Sequence, residues 1–150
     1  RISNNQSITP GFLMAALLWP SLIKKCSNNK EINIRKFFRS MDEVLRDQHQ
    51  LTAIPRKFQT YIKDIWVLQL KLESRIGQYP HKLVKHPRFR AAYDFLLIRE
   101  AAAKEDSSIG DWWTKFQNQN DDEREAVITK LSNERENESD KKFGFSSELI

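Results

Sequence analysis

Apolar positions recur at helical spacing through most of the chain, most clearly from Ala53 to Arg99. Counting from Pro55 at about 100° per residue, Phe58, Tyr61, Ile62, Ile65, Trp66, Leu68 and Leu72 share one half of a helix. Arg56, Lys63 and Lys71 fall within an arc of about 80° on the other half. Pro55 suits the first turn, where a missing N–H costs nothing. A connector from Glu73 to His86 carries Arg75, Gly77, Pro80, His81, Lys82 and Lys85. A second helix follows Pro87, with Phe89, Ala92, Tyr93, Leu96 and Leu97 as its buried stripe and Arg88, Arg90 and Arg99 outside it. The pattern predicts two rods with their apolar sides together and a shared cationic flank.

Other segments show the same period. Thr9 as N-cap, Pro10 as first helical residue and Ile8 as a hydrophobic staple open a first helix. Phe12, Leu13, Ala16, Leu17, Leu18 and Trp19 make it apolar around most of its circumference, which predicts contacts on several sides. Pro20 predicts a kink or a division into two pieces. Ser27 to Lys30 reads as a turn. The next helix, about Glu31 to Gln48, buries Phe37, Phe38, Met41, Val44 and Leu45, with Arg39 and Glu43 placed to pair at i,i+4. Later, Ser107 or Ser108 caps a short helix holding Trp112, Trp113 and Phe116; of two adjacent tryptophans at most one faces the core squarely. Asp121 to Asn137 reads as an acidic helix with a narrow stripe of Val127, Ile128 and Leu131, and the end from Ser139 reads as disordered, with no obvious partner for Phe143, Phe145, Leu149 and Ile150.

Length and composition narrow the class. A chain of 150 residues, 39% hydrophobic and 30% charged, has enough material for one domain with a sizeable core. With four glycines there is little for hairpins or phosphate-binding loops, so the expected fold class is all-α: an irregular bundle of about five to seven helices with a flexible acidic C-terminal tail. The expected division is a helical body over residues 1–117 and a partly helical or disordered tail over 118–150. The apolar run Gly11 to Ile23 has 13 residues, too short to span a bilayer and without the cationic start of a signal peptide. Charge sharpens the split: residues 1–100 carry a net +10 and residues 101–150 a net −5, an asymmetry that points to a polyanionic partner for the body.

Enzymatic machinery is not evident in the pattern. Cys26, the only cysteine, excludes an internal disulfide, fits a reducing cytosol, and ends an apolar helix as a small hydrophobe rather than a reactive thiol. No G-x-G-x-x-G, Walker A, H-E-x-x-H or C-x-x-C pattern occurs. His49, His81 and His86 lack metal-ligand spacing, and Asp42, Glu43 and Asp47 do not converge. The chain itself is expected to hold no catalytic residue, no metal and no cofactor.

Several words of sequence, in register, carry a resemblance. They are Ile8-Thr9-Pro10-Gly11-Phe12-Leu13-Met14-Ala15-Ala16-Leu17-Leu18-Trp19-Pro20, Ala53-Ile54-Pro55-Arg56-Lys57-Phe58, Asp64-Ile65-Trp66 with Leu68-Gln69-Leu70, His86-Pro87-Arg88-Phe89-Arg90-Ala91-Ala92-Tyr93-Asp94-Phe95-Leu96-Leu97, and Trp112-Trp113-Thr114-Lys115-Phe116-Gln117. Over roughly residues 8–117 the chain resembles the C-terminal part of bacterial poly(A) polymerase, a family grouped with the CCA-adding tRNA nucleotidyltransferases. The resemblance implies a helical body and arm following a nucleotidyltransferase head that adds AMP from ATP to RNA 3′ ends, with Mg²⁺ held by a carboxylate pair. The Gly-Ser and carboxylate signature of that head does not occur here, so the chain reads as a piece of a longer polypeptide, with Arg1 not its natural start and no polymerising activity of its own.

On this reading Arg56, Lys57, Lys63, Lys71, Arg75, Lys82, Lys85, Arg88 and Arg90 contact RNA phosphates without regard to sequence. Tyr79, Trp112 and Trp113 are the candidates for base stacking. For Arg90 a plain i,i+4 pair with Asp94 is the structural explanation, and for Lys63 simple solvation. The implied partners are RNA 3′ ends, the catalytic head and RNA-decay proteins, in the cytoplasm and with no membrane. The competing readings are a bracing or protein-docking domain of the same enzyme, or the equivalent domain of a CCA-adding relative.

Overall fold

The computed structural model describes residues 9–28, 31–75, 77–103 and 108–148, with side chains described as far as 138 except at 28, 31 and 32. Ile8, Ser107 and the terminal apolar side chains named above lie outside the described residues. Seven helices make up almost all of the described structure, and the class is all-α as expected.

Helix α1 (Pro10–Cys26) opens as its sequence dictates: the Thr9 hydroxyl accepts the Phe12 N–H at 3.1 Å and Pro10 takes the first helical position. It runs through Pro20 as a single helix, so of the kink or division expected there the division does not occur. Pro20 leaves the Ala16 carbonyl without its helical donor, yet Leu22 and Cys26 beyond it and Phe12 and Ala15 before it are all buried. Packing on both sides outweighs the local cost. The contacts expected on several sides of α1 are made, to α2, α3 and, through Phe12 and Trp19 against Phe95, α5, while Leu13 and Leu17 stand 51% and 65% exposed.

Between α1 and α2 the expected turn is closed by a two-residue ladder, β1 (Ser27–Asn28) with β2 (Glu31–Ile32), Asn28 opposite Glu31. Helix α2 (Ile34–Leu51) starts three residues later than the pattern suggests, because the Asn33 side chain caps it by accepting the Lys36 N–H at 3.1 Å. Phe37, Met41, Val44 and Leu45 are buried as expected, but Phe38 is 46% exposed. Glu43 meets Lys25 of α1 at 3.6 Å where the spacing suggested Arg39.

Helix α3 (Arg56–Ser74) is the axle: α1, α4 (Tyr79–Leu83), α5 (Phe89–Ala103) and α6 (Ser108–Gln117) all pack on it. Three polar side chains fix that packing. The Trp66 indole N–H donates to the Ala15 carbonyl of α1 at 3.1 Å, and the Trp113 indole N–H of α6 donates to the Leu72 carbonyl at 2.8 Å. Gln69, 1% exposed, donates to the Ala92 carbonyl of α5 at 3.1 Å and accepts from the Arg99 Nε at 3.1 Å. Arg99 was expected outside; its side chain is 19% exposed, pairs with Glu73 at 2.8 Å and lies 4.8 Å over the Trp19 ring. Two glycines permit close approach. A Cβ on Gly11 would come 2.8 Å from the Tyr61 ring, and one on Gly110 would come 2.2 Å from Glu100 Oε1 and 2.8 Å from Leu97 Cδ2.

Helix α7 (Asp121–Glu148) continues beyond Asn137, the end the pattern suggests. It is anchored to the body by Ile128, 5% exposed, and by Arg124, which donates to the Phe116 and Gln117 carbonyls at 2.9 and 3.0 Å.

Gln69→Leu keeps the volume but leaves the Arg99 Nε without its partner and removes the bond to the Ala92 carbonyl, so urea unfolding should show a loss of about 1–3 kcal/mol at unchanged slope. A stability equal to the parent would remove Gln69 from its place in this account. Burial also raises the pKa of the Cys26 thiol, against smaller opposing effects of a backbone hydrogen bond and Lys36. The unfolded thiol therefore ionises first, and its contribution to stability is lost as pH rises through the native pKa. Alkylation at about pH 8.5 should be far slower in the native chain than in denaturant.

Candidate nucleic-acid interface

The cations sort themselves by partner. Lys63 is held by Asp42 of α2 at 2.5 Å, and Arg90 pairs with Asp94 at 3.5 Å while lying 5.5 Å over the Tyr93 ring. The other seven make no ion pair among the described residues.

Six of these seven lie along one flank. Arg56 and Lys57 stand exposed in the first turn of α3, and Arg88 lies 4.9 Å over the ring of Tyr61, one turn further along. Lys71, near the other end of α3, lies 5.6 Å from the Tyr79 ring at the start of α4. Since Tyr79 meets Lys71 and Arg88 meets Tyr61, the chain between them runs back along α3 for about 15 Å. That return stretch carries exposed Lys82 and Lys85, while Pro80 and Leu83 hold it down by burial. On α3 itself Arg56, Lys57 and Lys71 fall within about 100° of each other, with Asp64 inside the same arc. The flank is thus mostly, though not purely, positive.

Arg75 is built differently. It caps α3 in the left-handed region at φ 47, ψ 49, a conformation uncommon for a side-chain-bearing residue. Arg135 of α7 stabilises this turn by donating to the Ser74 and Arg75 carbonyls, satisfying orphan acceptors of the helix end. The Arg75 guanidinium lies 5.2 Å over the Trp112 ring. Burial, then the nearby Arg135 charge, pull its pKa below the ordinary arginine value, with Glu134 opposing.

Of the aromatic candidates, Trp113 is fully buried among Phe89, Trp112 and Phe116 and has no face left for a base. Trp112 stacks on Phe116 with centroids 4.8 Å apart and 11° between planes, and Arg75 covers it as well. Tyr79, 42% exposed, presents the most open ring of the three. Two residues that matter here escaped the sequence pattern. Tyr61 looked like core but is half-buried and receives Arg88; Arg135 lay in a stretch whose acidity gave no signal for it. The same acidic helix reaches the connector, where Glu125 Oε1 sits 3.2 Å from His81 Nε2 and Glu125 Oε2 accepts from Gln78 at 3.4 Å.

A family model described as the arginine-rich C-terminus of polymerase A matches residues 29–144. The chain belongs to that family. It is 33% identical over 140 residues to poly(A) polymerase I of Escherichia coli O6:H1, covering 89% of this chain and 30% of that protein. To poly(A) polymerase I of Salmonella typhi it is 31% identical with the same coverage, and to that of Haemophilus influenzae 35% identical over 133 residues, 85% of this chain and 29% of that protein. The chain therefore spans about 30% of the length of these relatives. This polymerase A C-terminal region has no helix among its described residues long and apolar enough to cross a membrane, nor any group of three His, Cys, Asp or Glu residues placed to hold a metal ion.

Arg135→Ala removes both bonds to the end of α3 and should cost about 1–2 kcal/mol in urea unfolding. An unchanged midpoint would mean that the left-handed turn at Arg75 stands without α7.

Proposed function

We propose that this C-terminal region binds RNA and positions 3′ ends for untemplated AMP addition by a catalytic head elsewhere in the polypeptide. The observation that carries this reading is the flank of Arg56, Lys57, Lys71, Lys82, Lys85 and Arg88, none of them in an ion pair with a described carboxylate. Point charges on long stems, spread along a helix and its return stretch, suit phosphates and ignore base identity. That indifference is what tailing many different RNAs requires. Tyr79 offers an open ring beside Lys71 for a splayed base. Lys63 and Arg90, held by carboxylates, contribute less than the sequence pattern assigns to them. On this reading ATP and Mg²⁺ belong with the head, as the family resemblance implies, and the cytoplasm is the matching compartment.

Oligo(A) should bind the chain at low salt and be lost as salt rises. About five phosphate contacts give a log–log slope of about −3.5, so going from about 50 to 200 mM salt costs about 100-fold in affinity. Lys85→Gln and Arg88→Gln should each reduce that slope by about 0.7, whereas Lys63→Gln should leave it nearly unchanged. No retardation of oligo(A) at the lowest salt, or equal losses at Lys63 and Lys85, would overturn the reading.

A further inference from the structure

An apolar surface is left open on the first helix. Leu13, Leu17 and Pro20 share one face of α1, within about 60° of each other by helical spacing. That face continues into a groove of about 330 Å³ between α1 and α5, with Ala16, Trp19 and Pro20 on one wall and Phe95, Ile98, Ala102 and the Arg99 that covers Trp19 on the other. Ile98, on the α5 side, is 48% exposed. Lone exposed leucines need no explanation, but a contiguous apolar face joined to a groove marks a contact surface.

What covers it is indicated by where α1 stands in the family. The C-terminal family model begins at residue 29, after the end of α1 at Cys26. Helix α1 is nonetheless packed on α2 and α3 through Phe12, Ala15, Leu22 and Cys26, so it is an integral part of this body with one face to spare. In the relatives the matched stretch is about 30% of the polypeptide. We propose that the Leu13, Leu17 and Ile98 surface, with its groove, docks the polypeptide that precedes this region in the full-length protein. Helix α1 then has one face in each unit and acts as a rigid joint, fixing how the body is held relative to the part before it. This inference rests on the family assignment and not on the RNA-binding reading; Leu17 lies on α1, which carries none of the cations of the interface.

The test compares backbone hydrogen exchange in this 150-residue chain with exchange in the polypeptide as encoded, upstream sequence included. Peptides covering residues 10–24 and 95–103 should exchange at least tenfold more slowly in the longer protein, and Leu17→Glu should abolish that added protection there while leaving the melting temperature of the 150-residue chain unchanged. Equal exchange in the two proteins would overturn the proposal. So would a sedimentation result in which the 150-residue chain dimerises and Leu17→Glu makes it monomeric, because the occupant is then a second copy. Faster exchange of residues 10–24 after removal of residues 1–8 would likewise assign the cover to the chain's own start.

Discussion

A glutamine in the middle of a buried helix is the constraint on which this architecture turns. Gln69 sits where α3 meets α5, almost without solvent, and a side-chain amide there is costly unless its donors and acceptor are used. The Ala92 carbonyl takes one N–H, and the Gln69 oxygen takes the Arg99 Nε. Arg99 in turn needs a counter-charge, which Glu73 provides one helical turn beyond Gln69, and a covering surface, which Trp19 of α1 provides. One buried amide thereby sets the register of three helices. Trp66 and Trp113 repeat the logic at other points of α3, each pinning a neighbouring helix through a single indole N–H to a main-chain carbonyl. A purely apolar α3 would pack, but sliding by one turn would cost little; with these directional bonds, every alternative register strands a polar group.

Much of this was legible in the chain and some was not, for physical reasons that differ from residue to residue. The helical period, the Thr9 cap, the apolar half of α3 and the i,i+4 pair of Arg90 with Asp94 depend on neighbours in sequence, so spacing alone exposes them. The fate of Lys63 depends on Asp42, 21 positions away on another helix, and a spacing rule has no access to that pairing. Pro20 shows the opposite case: its local cost is real, but the helix does not divide there, and Leu22 and Cys26 beyond it are buried. Arg99 was assigned to water because arginine on a polar arc normally goes there, and only the presence of buried Gln69 beside it gives a reason for the inward position.

The charged surface is organised by the same competition between near and far partners. On α3 and the connector, cations within reach of a carboxylate on a packed neighbour are neutralised, while those facing solvent on the return stretch remain available. Several are steadied by aromatic rings: Arg88 over Tyr61, Lys71 near Tyr79 and Lys57 near Phe58. A ring restrains a long side chain without neutralising its charge. This lowers the ordering cost of meeting a polyanion, which a salt bridge does not, since an ion pair must first be broken.

Helix α7 adds a second consideration at the end of this flank. Its Arg135 closes the turn that places Arg75 over Trp112, whereas its Glu125 stands against His81 and Gln78 on the connector. The segment is acidic in total, yet the residues that touch the body do so with both signs, and the arginines bind main-chain carbonyls instead of carboxylates. Bonds of that kind do not depend on the ionisation of a partner and are weakly affected by salt compared with surface ion pairs. The seating of α7 through Arg124 and Arg135 therefore depends less on ionic conditions than the exposed charges of the cationic flank do.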